Sequence, residues 1–117
     1  VKEILNLLKN NLINGCANIT GGGLAENIKR VIPDNLCAEI DLSKIKILNI
    51  FRWLKLNNIS DNEMLKTFNC GVGFCIIINP RDLKKINKFF SKKFKPYVIG
   101  KIINGQRKVK LNEKIKW

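Results

Sequence analysis

A layered α/β (α+β) domain, with a mixed β-sheet flanked by helices, is the fold class that this 117-residue sequence predicts, and three observations predict it. Apolar residues recur at helical spacing in some segments and alternate or run unbroken over strand lengths in others, so the two kinds of element take turns along the chain. Glycine, proline and asparagine punctuate the changes of period. The length suits one domain, able to bury about 65% of its unfolded surface around one modest core.

Each element follows from local pattern. Ile4, Leu5, Leu8, Leu12 and Ile13 have a helical period, so a helix is expected over residues 2–13, stopped by Asn14-Gly15. Cys16 to Thr20 reads as a short strand, and Leu24 to Val31 as a helix that opens at Gly21-Gly22-Gly23. After a turn at Pro33-Asp34-Asn35, Leu36, Ala38, Ile40 and Leu42 line one face of a strand, with Cys37, Glu39 and Asp41 on the other. Leu48 to Leu56 carries Phe51, Trp53, Leu54 and Leu56 at helical intervals. Ser60, with Glu63 three residues on, forms a capping box that opens a short helix to Lys66. Phe74 to Ile78 is wholly apolar and rich in β-branched residues, which makes it the candidate central strand. Pro80 opens a helix to about Phe94, with Phe89, Phe90 and Phe94 as its buried stripe, and Pro96 stops it. Tyr97 to Ile103 is a strand, and Asn104-Gly105 is a hairpin signal leading into Lys108 to Leu111. The domain is expected over residues 1–111, followed by a polar, mobile tail over 112–117.

Composition narrows the function classes. No apolar stretch approaches the roughly twenty residues that a membrane-crossing helix needs. The first residues carry Lys2, Glu3 and Lys9 at helical intervals, unlike a secretory leader, so free thiols in a reducing compartment, the cytoplasm, are expected. The absence of an initial methionine suggests a fragment. The net charge of +13 invites comparison with nucleic-acid binders, yet lysine, isoleucine and asparagine make 52 of the 117 residues and arginine supplies only 4 positive charges. That is the bias expected of codons drifting toward A and T, whereas a reading surface concentrates arginine and stacking aromatics. The lysines between positions 84 and 95 therefore predict weak, nonspecific attraction to polyanions and no specific nucleic-acid binding. Cys16, Cys37, Cys70 and Cys75 lack the spacing of zinc knuckles, and the chain has no histidine, so no metal site is expected. Cys37 and Cys75 read as small core residues, and Cys70, inside the second glycine segment, is the one candidate to face a ligand, with filling space the favoured reading.

Two segments concentrate the functional signal: Ala17-Asn18-Ile19-Thr20-Gly21-Gly22-Gly23-Leu24 and Thr67-Phe68-Asn69-Cys70-Gly71-Val72-Gly73. Glycines ahead of a helix serve a sharp turn, or let a ligand approach bare N–H groups as an anion cradle. The order of the surrounding residues is informative. Ile19 to Pro33, then Ile50-Phe51-Arg52-Trp53-Leu54, then Ile59 to Gly73 resemble, at matching intervals, the C-terminal domain of aminoimidazole ribonucleotide synthetase (phosphoribosylformylglycinamidine cyclo-ligase). The resemblance runs from about residue 1 to Gly100, and implies a domain incomplete at its N-terminal end. Asn18 stands where that family usually has histidine, Lys29 where it tends to have proline, and Phe74 where it tends to have methionine.

The resemblance implies a reaction. ATP phosphorylates the formamide oxygen of formylglycinamidine ribonucleotide, the amidine nitrogen attacks the activated carbon, and phosphate leaves as the imidazole ring closes. It also implies that Thr20, Gly21, Gly22, Gly23, Asn27, Asn69, Gly71 and Gly73 bind substrate or phosphate, with Arg30 a weaker candidate. ATP and magnesium are expected to be bound mostly by the family's N-terminal domain, which would be this domain's partner within the full-length chain and would supply the interface of a homodimer, and no catalytic residue is assigned. Two alternatives stand beside it: another ATP-using member of the same superfamily, of the formylglycinamidine ribonucleotide synthetase or selenophosphate synthetase type, and a noncatalytic basic binding module.

Overall fold

The computed structural model describes residues 2–117; Val1, the first residue of the expected domain, lies outside the described residues. The first helix, α1, is Lys2–Lys9, four residues shorter than its apolar pattern suggests. Asn11 turns into the left-handed region with φ of 52°. The Leu12 amide then bonds back to the Leu7 carbonyl at 3.0 Å, which closes the helix.

Strand β1 (Gly15–Asn18) runs antiparallel to β3 (Phe74–Ile77) as a separate ribbon, with Asn18 opposite Phe74 and Gly15 opposite Ile77. This corrects the expectation that the Phe74 segment is central. The central strand is β2 (Leu36–Asp41), which lies between β4 (Gly100–Asn104), antiparallel to it, and β5 (Lys108–Asn112), parallel to it. The mixed sheet is thus present, built around the shorter-ranged alternating pattern and not around the most apolar run.

The hairpin expected at Asn104-Gly105 does not form, because β4 and β5 flank β2 and do not pair with each other. Three residues, 105–107, cross the N-terminal end of β2, where the Gly105 amide bonds to the Asn35 carbonyl at 3.1 Å. Two strand spacings are about 10 Å, within reach of so short a link. Arg107 secures the crossing by donating to the carbonyls of Lys29 and Arg30 at 3.0 and 3.3 Å. The link and Ile103 cover Cys37, which is buried although it lies on the face opposite Ala38 and Ile40.

Helices cover the sheets. On the inner side, α2 (Gly23–Lys29) places Leu24 and Ile28 against Ala17, Ile19, Ala38 and Ile40, and joins them in the main core with Met64, Cys70, Val72 and Ile115. Helix α3 (Asn49–Lys55) contributes Phe51 and Leu54, half-buried, while Trp53 and Leu56 stay exposed. Helix α4 (Asp61–Thr67) begins as the capping box predicts, the Ser60 hydroxyl accepting from the Glu63 amide at 3.2 Å.

The long helix expected over 80–94 is broken. A 3₁₀ turn at Pro80–Asp82, capped by the Asn79 side chain, leads into α5 (Leu83–Asn87), and a second 3₁₀ turn follows at Lys92–Phe94. Lys84, Lys88 and Lys92 would repel one another along one face of a continuous helix, a destabilisation of only about 0.2–0.5 kcal/mol per pair. Phe94 is therefore 65% exposed and is not part of a buried stripe. The tail also departs from expectation: Glu113 turns the chain with φ of 60°, Ile115 is buried, and Trp117 packs on the core.

Candidate functional site

The topology brings the two glycine segments together. Because β1 and β3 are antiparallel, the segment that leaves β1 and the segment that enters β3 share one end of the ribbon. The Ile19 amide donates to the Gly73 carbonyl at 3.0 Å and joins them directly. Ala17 and Ile19 are buried while Asn18 and Thr20 are exposed, so the pleat turns Asn18 and Thr20 toward one open side. Phe74, directly across from Asn18, shares that side and is 43% exposed.

The five glycines of the two segments divide by what holds them. Gly23 has φ of 73°, and a Cβ there would overlap the Leu65 carbonyl of α4. At Gly22 a Cβ would overlap the Glu26 carboxylate. Gly71 has φ of 108° and passes so close to Lys46 that a Cβ would lie 2.8 Å from its carbonyl oxygen. By contrast, Gly21 and Gly73 have no positive φ, and a Cβ on either would meet nothing within 4 Å. The fold gives no reason for glycine at these two positions. Both are exposed, one in each segment, at the common end of the ribbon.

Asn27 holds the first segment from below. Only 5% exposed, its amide nitrogen donates to the carbonyls of Gly23 at 2.7 Å, Thr20 at 3.2 Å and Gly21 at 3.4 Å. The Thr20 hydroxyl donates to its oxygen at 3.4 Å. Asn27 thus sits under the loop, not at its open surface. The Gly23 amide is also committed, to the Thr20 carbonyl at 3.1 Å, whereas the amides of Gly21 and Gly22 have no acceptor among the described residues. Arg30 lies at the surface, paired with Glu26 at 3.2 Å.

In the second segment, the Asn69 side-chain oxygen accepts from the Gly71 amide at 2.9 Å, and its carbonyl from the Val72 amide at 2.9 Å, closing a tight turn. Cys70 takes φ of 54° at the first inner position of that turn. Its thiol points inward to the Met64 carbonyl at 3.7 Å and is 1% exposed, so it fills the core and does not face a ligand. Phe74 is the residue that pattern reasoning missed. Its apolar run argued for burial, and only its place beside Gly73 hinted that one aromatic face would stay open.

Burial pushes the Cys70 thiol up from 9.0 to about 11, helped by the Asp61 carboxylate, and burial alone pushes Cys75 up to about 11. Raised values mean that the folded state keeps protons that the unfolded chain loses. The stability these thiols contribute is complete below pH 9.0 and is lost as pH rises toward 11. Denaturant midpoints measured from pH 8 to 11 should therefore fall more steeply for the parent than for the double variant Cys70→Ala, Cys75→Ala.

Among the described residues, no three His, Cys, Asp or Glu side chains converge. Around the two segments the free backbone donors are the amides of Gly21 and Gly22, with the Glu26 carboxylate, paired with Arg30, lying close to Gly22. No helix among the described residues is long and apolar enough to cross a membrane.

The chain is similar to known proteins over most of its length. The chain is 44% identical over 115 residues to the phosphoribosylformylglycinamidine cyclo-ligase of Ligilactobacillus salivarius, covering 97% of this chain and 32% of that protein. It is 43% identical over 117 residues to the bifunctional purine biosynthetic protein purD of Dictyostelium discoideum, covering 98% of this chain and 14% of that protein. Against the trifunctional purine biosynthetic protein adenosine-3 of Chironomus tentans it is 48% identical over 105 residues, covering 88% of this chain and 8% of that protein. The chain thus spans a third or less of the length of these curated relatives. Residues 1–111 match the family described as AIR synthase related protein, C-terminal domain, and the chain belongs to that family.

Proposed function

We propose that this domain forms the substrate-binding part of an ATP-dependent cyclo-ligase that converts formylglycinamidine ribonucleotide to aminoimidazole ribonucleotide in purine biosynthesis. One observation carries the proposal: Gly21 and Gly73, which the fold leaves free to be any residue, face the same open end of the β1–β3 ribbon. Bare backbone at such places serves close approach by a ligand. The unpartnered amides of Gly21 and Gly22 supply donors for a phosphate or for charge developing on the activated formamide oxygen. Thr20 and Asn18 add polar groups at the rim, and Phe74 offers an apolar face to the planar part of the substrate. Asn27, Asn69, Gly23 and Gly71 shape the two segments.

Asn18 donates and accepts hydrogen bonds without carrying a titratable proton, so its part is positioning. In this proposal ATP and magnesium are held mostly by residues outside this chain, in an N-terminal domain that pairs as a homodimer in the cytoplasm. The chain covers 32% of the Ligilactobacillus salivarius relative, which leaves room for such residues elsewhere in a protein of that length.

The test is release of ADP by the complete gene product with and without formylglycinamidine ribonucleotide. Substrate-dependent release together with aminoimidazole ribonucleotide bears the proposal out, and a folded, ATP-binding protein that releases none sinks it. Gly21→Ala and Gly73→Ala sharpen the test. Neither position requires glycine, so stability should hold or rise by about 0.4–1 kcal/mol. The added methyl in the cleft should raise KM by about tenfold. Unchanged kinetics in both variants would remove the two glycines from the site.

A further inference from the structure

The segment after β5 does more than end the sheet. Trp117 donates its indole N–H to the Asp61 carboxylate at 3.1 Å, and its carbonyl accepts from the Arg52 guanidinium at 2.7 Å. Lys55 pairs with the same Asp61 carboxylate at 3.0 Å, donates to the Ile59 carbonyl at 2.7 Å, and lies 5.9 Å from the centre of the Trp117 ring. Four polar ties and one cation–ring contact therefore converge where α3 ends and α4 begins, anchored by Ile115 in the core.

What α4 touches gives that anchorage its consequence. The Leu65 carbonyl of α4 lies against Gly23 in the first glycine segment. The Met64 carbonyl receives the Cys70 thiol of the second segment at 3.7 Å, and the Phe68 amide, just before Asn69, bonds to the same carbonyl at 2.9 Å. Helix α4 is the shared backing of both walls, and Asp61 is its first residue. We infer that Trp117 is a positioning residue of the glycine-lined cleft: acting through Asp61, it fixes α4 and so sets the spacing between the walls carrying Gly21 and Gly73. This inference rests on the proposed function for its kinetic part and on the contacts alone for its structural part.

Hydrogen exchange and kinetics on the complete gene product test the two parts separately. Trp117→Ala should speed amide exchange about tenfold across the bonded amides of residues 63–73 and at Gly23, while leaving residues 36–41 and 100–104 at the parent rate. Trp117→Phe, which keeps a ring but loses the donor to Asp61, should give a smaller change in the same residues. With formylglycinamidine ribonucleotide as the probe, KM should rise about fivefold in Trp117→Ala with kcat less affected. Unchanged exchange over 63–73, or acceleration shared equally by 36–41 and 100–104, would overturn the inference. So would altered exchange with an unaltered KM. A parent protein that does not turn over this substrate defeats the proposed function instead, and the exchange pattern still decides whether Trp117 holds α4.

Discussion

Gly23→Ala is expected to cost about 3 kcal/mol or more of folding stability, from two sources that add at one atom. The left-handed backbone at Gly23, with φ of 73°, disfavours any side chain by about 1–2 kcal/mol. The new methyl would also overlap the Leu65 carbonyl, which is backbone and cannot rotate away, so α2 and α4 must separate. Overpacking of this kind costs typically about 1–3 kcal/mol. Chemical denaturation of the parent and variant measures the loss. A change below about 1 kcal/mol would mean that α2 and α4 are not in backbone contact at Gly23. The contrast with Gly21→Ala, two residues away and expected to be neutral or stabilising, makes the pair diagnostic.

Asn27→Asp should be nearly as damaging, although it exchanges one atom. The Asn27 amide nitrogen serves the carbonyls of Gly23, Thr20 and Gly21 from a buried position. An aspartate sets a carboxylate oxygen against those oxygens, and leaving buried acceptors unmatched costs about 1–3 kcal/mol, more when a charge is involved. Arg30, whose Nη1 donates to the Asn27 oxygen at 3.5 Å, would offset part of this penalty but is shared with Glu26. Burial and the three carbonyls therefore make the carboxyl bind its proton more tightly in the folded state than in the unfolded chain. The stability of Asn27→Asp should consequently be greatest at acid pH and fall as pH rises through the carboxylate range, a trend that Asn27→Ala would lack. Denaturant midpoints for both variants between pH 4 and 8 settle the point, and a flat profile for Asn27→Asp would place the side chain in contact with water.

Local signals proved legible wherever a few neighbouring residues decide the outcome. Ser60 capped α4 as its spacing with Glu63 required, and Ala38, Ile40 and Leu42 went inward together as their alternation required. Errors arose where distant parts of the chain compete. Nothing in Phe74 to Ile77 reveals that β1 alone will pair with it, and nothing in Asn104-Gly105 reveals that β2 will occupy the place a hairpin partner would take. The break after α5 has no counterpart in the sequence pattern, where the phenylalanine spacing argues for one continuous helix. Docking of the tail rests on Trp117 meeting Asp61, residues 56 positions apart.

For the site, the resemblance located the two glycine segments, but it ranked their residues alike. Sequence carries no record of which glycine is bound by its own backbone and which faces open space. Only the contacts separate Gly23 and Gly71 from Gly21 and Gly73, and only burial moves Asn27 from the exposed side of the first segment to beneath it.

The seat of β2 between β4 and β5 has a consequence for the order of events as the chain is made. Neither neighbour exists when β2 emerges, since one begins at Gly100 and the other at Lys108. At about 5–20 residues per second, the strand waits several seconds with both hydrogen-bonding edges open. During that time its Leu36-Cys37-Ala38 stretch is available to any other unpaired strand. Pairings so distant along the chain also slow closure of the sheet. Yield of this protein in a cell should accordingly depend on how quickly residues 100–112 are completed and on the chaperones that shield β2 until then.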